Sequence, residues 1–244
     1  MFTCATTPVS PDTLLIAAAF AIARPVGTLP INDTRDKLAR AFIVTQRLDE
    51  AIAVLEAYGV PLLGGDTVGG AGPQAMGLTA IGRATHWPVP SRSGAKAGDA
   101  LWITGALGAA MLGLEALRSE TGDSLAYRRP QALLAEGQAL APHVTAMMDI
   151  SDGLLLDAAR MARASGVTLA IDSAVVPIAT PEARRAEALR WGEDYQLLFT
   201  APPAFQPPVA AFCIGRVLHA GEAPIALDGR ALSEADGLGY QHNR

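Results

Sequence analysis

Apolar residues along this chain recur with two different spacings, and the two spacings alternate. Between Ser151 and Gly166 the intervals are three and four residues, which is the spacing of one helix face; that face comprises Leu154, Leu155, Ala158, Met161 and Ala162. The short, largely apolar runs 167–171 and 196–200 have the length of buried strands. Because helical and strand segments follow each other along the chain, we predict a layered α/β or α+β fold.

The same periodicities give the predicted elements. Helices are expected over 14–23, 36–58, 109–118, 130–141 and 180–190, with a further helix that Ser151 caps and Gly166 ends. Strands are expected over 60–63, 76–83, 99–104, 146–150, 167–171, 196–200 and 209–217, followed by a hairpin over 225–232. A glycine-rich loop, 69–72, is expected to join the first two strands.

The segment 88–98 shows no apolar period and contains several prolines, glycines and charged residues. We therefore predict that it links two domains, an N-terminal domain over 1–90 and a C-terminal domain over 94–244. The five strands from 99–104 to 209–217 are expected to form one sheet in the C-terminal domain.

Composition narrows the class of protein. Of the 244 residues, 50% are hydrophobic and 18% are charged, which excludes an intrinsically disordered chain. The formal net charge of −5, without any basic run, argues against a nucleic-acid-binding protein. The run 14–23 is too short to span a bilayer, and no basic residue precedes it as in a signal peptide. Cys4 and Cys213 are isolated thiols, typical of a reducing compartment, so we expect a cytoplasmic protein.

Carboxylates beside glycine are the candidate chemistry, since Walker A and G-x-G-x-x-G loops are absent from the sequence. Asp66 follows two glycines after the predicted strand 60–63, and Asp149 follows the apolar run 146–148. Asp152 is expected in the first turn of the next helix, whose N-terminal N–H groups attract anions. Clustered carboxylates next to such a helix end suit Mg²⁺ bridging a polyphosphate.

Other interpretations of these residues stay open at this point. Asp152 could simply stabilise a helix start, and Asp66 could be a turn residue. Glu193 and Asp194, two acids before the strand 196–200, could form a solvated loop. The residues by themselves therefore indicate an α/β enzyme with a possible Mg²⁺-phosphate site.

The order of five motifs resembles the thiamine-monophosphate kinase family, which belongs to the superfamily of aminoimidazole ribonucleotide synthetase. The motifs are G-G-D-T at 64–67, S-R-S-G-A-K-A-G-D at 91–99, D-I-S-D-G at 149–153, G-E-D-Y-Q-L at 192–197 and G-Y at 239–240. The resemblance implies a two-domain PurM-like architecture with an incomplete N-terminal domain. It further implies transfer of the γ-phosphoryl group of ATP, as co-substrate, to thiamine monophosphate, giving thiamine diphosphate with Mg²⁺ as cofactor.

The resemblance also implies roles for individual residues. Mg²⁺ would be held by Asp66, Asp149 and Asp152. The nucleotide would contact Gly65, Asp66, Arg92 and Ser151. Thiamine monophosphate would contact Glu193 and Tyr240. No protein nucleophile or strong general base is required, because the acceptor phosphate is already ionised at neutral pH.

One part of the family pattern has no counterpart in the sequence. The family carries an Asp-Asp pair and a D-x-x-x-E-x-x-H-F segment on earlier strands, and residues 1–30 match neither. The family's homodimer, built by pairing N-terminal sheets, would have fewer strands here. We therefore expect this chain to be a poor kinase. The alternatives are a non-catalytic remnant that binds nucleotide, or another ATP-using enzyme of the superfamily.

Overall fold

A computed structural model describes residues 19–25, 51–62, 64–70, 75–79, 82 and 84–241. The chain divides into two compact units, Met1–Ala84 and Thr85–Arg244. Strands and helices are mixed in the described residues, which agrees with the predicted α/β class. None of the helices in these ranges is long and apolar enough to cross a membrane.

The first unit contains a three-stranded sheet with a central strand where we predicted a helix. Strand β1 (Ala19–Pro25) pairs in parallel with β2 (Gly64–Gly70) and antiparallel with β3 (Ala75–Thr79). The prediction of a helix over 14–23 is therefore wrong for 19–23, while 14–18 lie outside the described residues. A short apolar run fits a buried strand as well as a buried helix, and here pairing along both edges of β1 favours the strand.

The motif G-G-D-T lies inside a strand, whereas we predicted that it follows one. Residues 60–62 have no regular structure, and the strand is β2, with Gly65 opposite Phe20 and Asp66 opposite Ala21. Glycine has a weak intrinsic strand preference, but pairing with a neighbouring strand overrides such preferences. Of the helix predicted over 36–58, residues 36–50 lie outside the described residues. The described part, helix α1 (51–57), ends just before the predicted stop at Gly59, whose φ of 65° is left-handed.

The second unit is built on a seven-stranded sheet that contains all five predicted strands. Its strands are β4 (Ala100–Ile103), β5 (Ala146–Asp149), β6 (Val167–Ile171), β7 (Leu197–Ala201), β8 (Phe212–His219), β9 (Ile225–Leu227) and β10 (Arg230–Leu232). The strand order is β10-β9-β6-β8-β4-β7-β5, which makes β5 an edge strand. The pairings are antiparallel except for β6 with β9. The predicted hairpin is confirmed, with Asp228 and Gly229 at its turn in left-handed conformations.

One amphipathic helix supplies much of the core. Helix α5 (Leu154–Ser165) buries the predicted apolar face, and the core joins these side chains to the inward residues of the sheet. The other helices are α2 (Ala109–Ser119), α3 (Leu125–Arg128), α4 (Leu134–Leu140) and α6 (Arg185–Ala188). Two helices are shorter than predicted: 130–141 is reduced to α4, and 180–190 forms a 3-10 turn (Glu182–Arg184) followed by α6.

The predicted linker belongs to the second unit. The Ser165 hydroxyl oxygen at the end of α5 accepts hydrogen bonds from the backbone N–H groups of Gly94 (3.1 Å) and Ala95 (3.2 Å). The same hydroxyl donates to the Arg92 carbonyl oxygen (3.1 Å). The chain therefore divides at residue 84, and the segment from 91 onward is bonded to the C-terminal unit. The absence of an apolar period did not reveal this, because the segment is attached by backbone hydrogen bonds and by one small core residue, Ala95.

Candidate functional site

Two motifs that are distant in the sequence, G-E-D-Y and the C-terminal G-Y, converge on the loop 149–153. The backbone N–H of Glu193 donates to the Ser151 carbonyl oxygen, and that of Tyr195 donates to the Ile150 carbonyl oxygen, both at 2.9 Å. The N–H of Tyr240 donates to the Asp152 carbonyl oxygen, also at 2.9 Å. The structure thus brings D-I-S-D-G, G-E-D-Y and the C-terminal G-Y into one cluster.

Glycine is required at two points of this cluster because backbones approach very closely. A Cβ atom at Gly192 would lie 2.3 Å from the Ser151 carbonyl oxygen. A Cβ atom at Gly239 would lie 2.3 Å from the Asp152 carbonyl oxygen. Real Cβ atoms do not approach oxygen this closely, so both glycines are part of how the 149–153 loop is packed.

The two aspartates of the loop have different surroundings. Asp149 is the last residue of β5, paired with Leu197 at the sheet edge, and it is exposed. Asp152 is 15% exposed, and its Oδ2 accepts a 2.5 Å bond from Nη1 of Arg160. Asp149 therefore presents its carboxylate to solvent, whereas the charge of Asp152 is balanced by an arginine.

A buried acid in helix α5 fixes the 149–153 loop by hydrogen bonds to its backbone. The Asp157 side chain is fully buried, and its Oδ2 accepts the N–H groups of Ser151 (3.0 Å) and Asp152 (2.9 Å). Its Oδ1 accepts a 2.7 Å bond from Arg160, which thereby bridges both aspartates. Burial raises the pKa of Asp157, and the hydrogen bonds from Asp152 and Arg160 oppose that shift.

This arrangement corrects three expectations about the start of the helix. The N-cap is Gly153 with φ of 108°, so α5 begins at Leu154 and Ser151 is not the cap. Asp152 precedes the first turn. The N–H groups of Ser151 and Asp152, which we expected to face an anion, are bonded to Asp157. A carboxylate from within the chain therefore takes the place of the predicted anion.

The G-E-D-Y loop is bonded to the rest of the unit at each of its acids, so the interpretation as a solvated loop is wrong. Glu193 and Tyr195 have positive φ angles of 68° and 51°, and the Tyr195 hydroxyl donates to Oε2 of Glu193 at 2.8 Å. Burial, and then the neighbouring Glu193, raise the pKa of Tyr195 to about 12. The negative charges of Asp149 and Asp152 contribute to the same upward shift of the Tyr195 pKa.

Asp194 points the other way, to the start of helix α2. Its Oδ2 accepts the N–H of Gly108 at 2.6 Å, and its Oδ1 accepts the N–H of Ala110 at 2.9 Å. Burial raises the pKa of Asp194, and the N–H groups of the helix start oppose that shift. Asp194 is therefore a cap for a distant helix.

The remaining predicted residues lie as follows. Tyr240 is 60% exposed, and Arg92 is exposed on the segment that Ser165 holds. Gly65 and Asp66 lie in β2 of the first unit, so a pocket shared by Asp66 with Asp149 and Asp152 stays a prediction. Within the described ranges, no three His, Cys, Asp or Glu side chains are grouped to hold a metal ion.

Two residues that organise the site, Asp157 and Arg160, were not predicted from the sequence. The spacing of Asp157 and Arg160, three residues apart in a helix, was a usable signal, because such pairs lie on one face. An acid among the apolar residues Leu154–Met161 also indicates a buried partner, since an isolated charge is rarely buried. Tyr195 was included in the G-E-D-Y motif, but no role of its own was predicted for it.

Comparisons with known proteins show which family the chain is related to. The model for the C-terminal domain of AIR synthase related proteins matches residues 96–221, slightly more than half of the chain. The thiamine-monophosphate kinase of Escherichia coli (strain K12) is 36% identical over 170 residues, which are 63% of this chain and 52% of that protein. The thiamine-monophosphate kinase of Halobacterium salinarum is 34% identical over 195 residues, 74% of this chain and 66% of that protein.

A solved structure extends the similarity to the fold. AaThiL complexed with AMPPCP and TMP has a TM-score of 0.69 at 28% identity, over 90% of this chain and 72% of that chain. The chain spans about half the length of the E. coli relative that it matches. We conclude that the chain belongs to the AIR synthase related family through the C-terminal domain of that family, and that its relatives there include the thiamine-monophosphate kinases.

Proposed function

We propose that the protein transfers the γ-phosphoryl group of ATP to the phosphate of thiamine monophosphate, giving thiamine diphosphate. The observation that carries this proposal is the convergence of the G-E-D-Y loop and the C-terminal G-Y on the loop 149–153. The names of the relatives support the reaction, and AaThiL complexed with AMPPCP and TMP supports the pair of substrates.

The donor set suits Mg²⁺. Mg²⁺ in proteins is commonly bound by one or two carboxylates together with substrate phosphates, and Asp149 and Asp152 offer two hard oxygen donors in one loop. We propose that these two and Asp66 hold the metal. When bound, Mg²⁺ supplies positive charge that offsets repulsion between the phosphates of the two substrates.

The chain's own residues then bind and orient the substrates. The thiazolium ring of thiamine carries a positive charge, which the Glu193 carboxylate complements. Tyr240 presents an exposed ring on which such a cation can stack. For the nucleotide we propose Gly65, Asp66, Arg92 and Ser151. Because the N–H of Ser151 is bonded to Asp157, its contact would come from the hydroxyl.

A product assay with two matched charge variants tests the proposal. The chain is incubated with ATP, Mg²⁺ and thiamine monophosphate, and thiamine diphosphate is quantified by chromatography. Asp149→Asn removes a proposed metal ligand, whereas Glu222→Gln removes an exposed charge between β8 and β9. The strand registers place Asp149 at the same end of the sheet as Phe212, the first residue of β8, whereas residue 222 follows His219 at the other end of β8.

We expect product that depends on ATP and Mg²⁺, a loss of about a hundredfold or more in Asp149→Asn, and no loss in Glu222→Gln. Nucleotide binding without product would favour a non-catalytic remnant. Product formation that Asp149→Asn leaves unchanged would contradict the proposed site. The slow turnover that we expect stays a prediction, which this assay measures.

We also propose that the protein forms a homodimer and is located in the cytoplasm. Light scattering tests the first proposal, and cell fractionation tests the second.

A further inference from the structure

The loop 192–195 is fixed from two sides. On one side, the N–H groups of Glu193 and Tyr195 donate to carbonyl oxygens of the 149–153 loop. On the other side, the Asp194 carboxylate accepts the first N–H groups of helix α2, which is 11 residues long. Alternate residues of this loop therefore face opposite partners, and the loop is held between a strand end and a helix start.

Two residues of this loop, Glu193 and Tyr195, adopt an unfavourable backbone conformation. Left-handed φ angles are sterically unfavourable for a residue with a side chain, and Glu193 and Tyr195 both have them. Such a conformation persists only where surrounding contacts enforce it. The bonds from Asp194 to α2 are contacts of this kind, because they fix the residue between the two strained ones.

We propose that Asp194 is a positioning residue that sets the place of the Glu193 carboxylate and thereby the affinity for the thiamine substrate, in distinction from the nucleotide. This inference rests on the proposed function, in which Glu193 contacts thiamine monophosphate. Asp194 acts through the residues on either side of it, because its own carboxylate accepts hydrogen bonds from the backbone N–H groups of Gly108 and Ala110.

The Tyr195 hydroxyl completes the arrangement. It donates to Oε2 of Glu193 at 2.8 Å, so the orientation of this carboxylate depends on the backbone at both 193 and 195. The substitution Asp194→Asn keeps the shape of the side chain but presents an NH₂ group toward one of the helix N–H groups. The loop would then relax toward ordinary φ angles and carry Glu193 and Tyr195 away from their present positions.

Binding measurements separate this role from a general role in folding. Isothermal titration calorimetry of the full chain with Mg²⁺ gives Kd for thiamine monophosphate and, separately, for AMPPCP. We expect Asp194→Asn to raise Kd for thiamine monophosphate about tenfold or more, since small misplacements have effects of this size, and to change Kd for AMPPCP less than about threefold. In the Glu193→Gln background, Asp194→Asn should add little, because both changes act on one contact.

Asp228→Asn is the matched control. Asp228 also has a positive φ, of 52°, and its carboxylate accepts the backbone N–H of Ser173 at 2.8 Å, but it lies at the β9–β10 turn, five strands from β5. We expect it to leave both Kd values unchanged. Circular dichroism verifies folding, and Asp194→Ser, which keeps an oxygen acceptor, is the second variant.

The outcomes are distinguishable. An equal rise in both Kd values, or additive effects of the Glu193 and Asp194 changes, would overturn the positioning role. Failure of both Asp194 variants to fold would assign the carboxylate to the fold alone and also overturn it. If the wild-type chain does not bind thiamine monophosphate, the proposed function fails, and this inference fails with it.

Discussion

Replacement of Asp157 by alanine should destabilise the C-terminal unit and loosen the 149–153 loop. The carboxylate is fully buried and accepts three hydrogen bonds, from the N–H groups of Ser151 and Asp152 and from Arg160. Leaving a buried donor without a partner costs about 1–3 kcal/mol. Arg160 is one-third exposed and retains Asp152, so its charge is not stranded.

These contributions act in opposite directions. Loss of the bonds destabilises the variant, while removal of a desolvated carboxylate, whose burial raises its pKa, offsets part of the loss. We expect a net decrease of about 2–4 kcal/mol in the free energy of unfolding. For a unit of this size, 1 kcal/mol corresponds to about 2–4 °C in Tm, so the melting temperature should fall by about 5–15 °C.

Urea unfolding followed by circular dichroism measures this change at pH 7. Asp157→Asn keeps an oxygen acceptor and should lose less stability than Asp157→Ala. Arg163→Ala is the control on the same helix, because Arg163 forms an exposed ion pair with Glu234. Such pairs contribute about 0–1 kcal/mol. If the free energy of unfolding of Asp157→Ala were within about 0.5 kcal/mol of that of the wild-type chain, the proposed stabilisation of the 149–153 loop by Asp157 would be refuted.

Three further predictions concern the same cluster. Gly239→Ala should lower the free energy of unfolding by about 1–3 kcal/mol in a urea titration, because the added Cβ would clash with the Asp152 carbonyl oxygen. Gly229→Ala is the control: its added Cβ would contact no atom, so it should lose only the stability that its left-handed φ costs. Tyr195 should titrate at about 12 in an ultraviolet titration, and Tyr195→Phe should remove that step; a titration near 10 would contradict the contacts described. Because this raised pKa favours the protonated native state, its contribution to stability should be present below pH 10 and be lost as the pH rises toward 12.

The C-terminal sheet could be predicted from the sequence because its strands are short, apolar and separated by clear turns. Helix α5 was equally clear, since its apolar face has an unbroken helical period and Gly166 ends it. The predicted start of that helix was wrong by two residues, because the cap is Gly153 and not Ser151. Ser151 is a good intrinsic cap, but the distant contacts of Gly153, Gly192 and Gly239 decide where the chain turns.

Strand β1 and the helix-capping acid Asp194 show where local sequence patterns do not predict the structure. The run 14–23 is apolar without a period, and the conformation of its described part, 19–23, depends on pairing with β2 and β3, which are far along the chain. Asp194 has no local signal for capping a helix 84 residues away. The positions of the predicted ligands Asp149 and Asp152 in one loop followed directly from their spacing.

A crystal structure of the chain with thiamine monophosphate, AMPPCP and Mn²⁺ tests the central claim most directly, because Mn²⁺ replaces Mg²⁺ and gives an anomalous signal. The account predicts a manganese peak about 2.1 Å from carboxylate oxygens of Asp149 or Asp152. It also predicts thiamine monophosphate in contact with Glu193 and Tyr240. Manganese and substrate bound away from the 149–153 loop, with that loop unchanged and unliganded, would contradict the account.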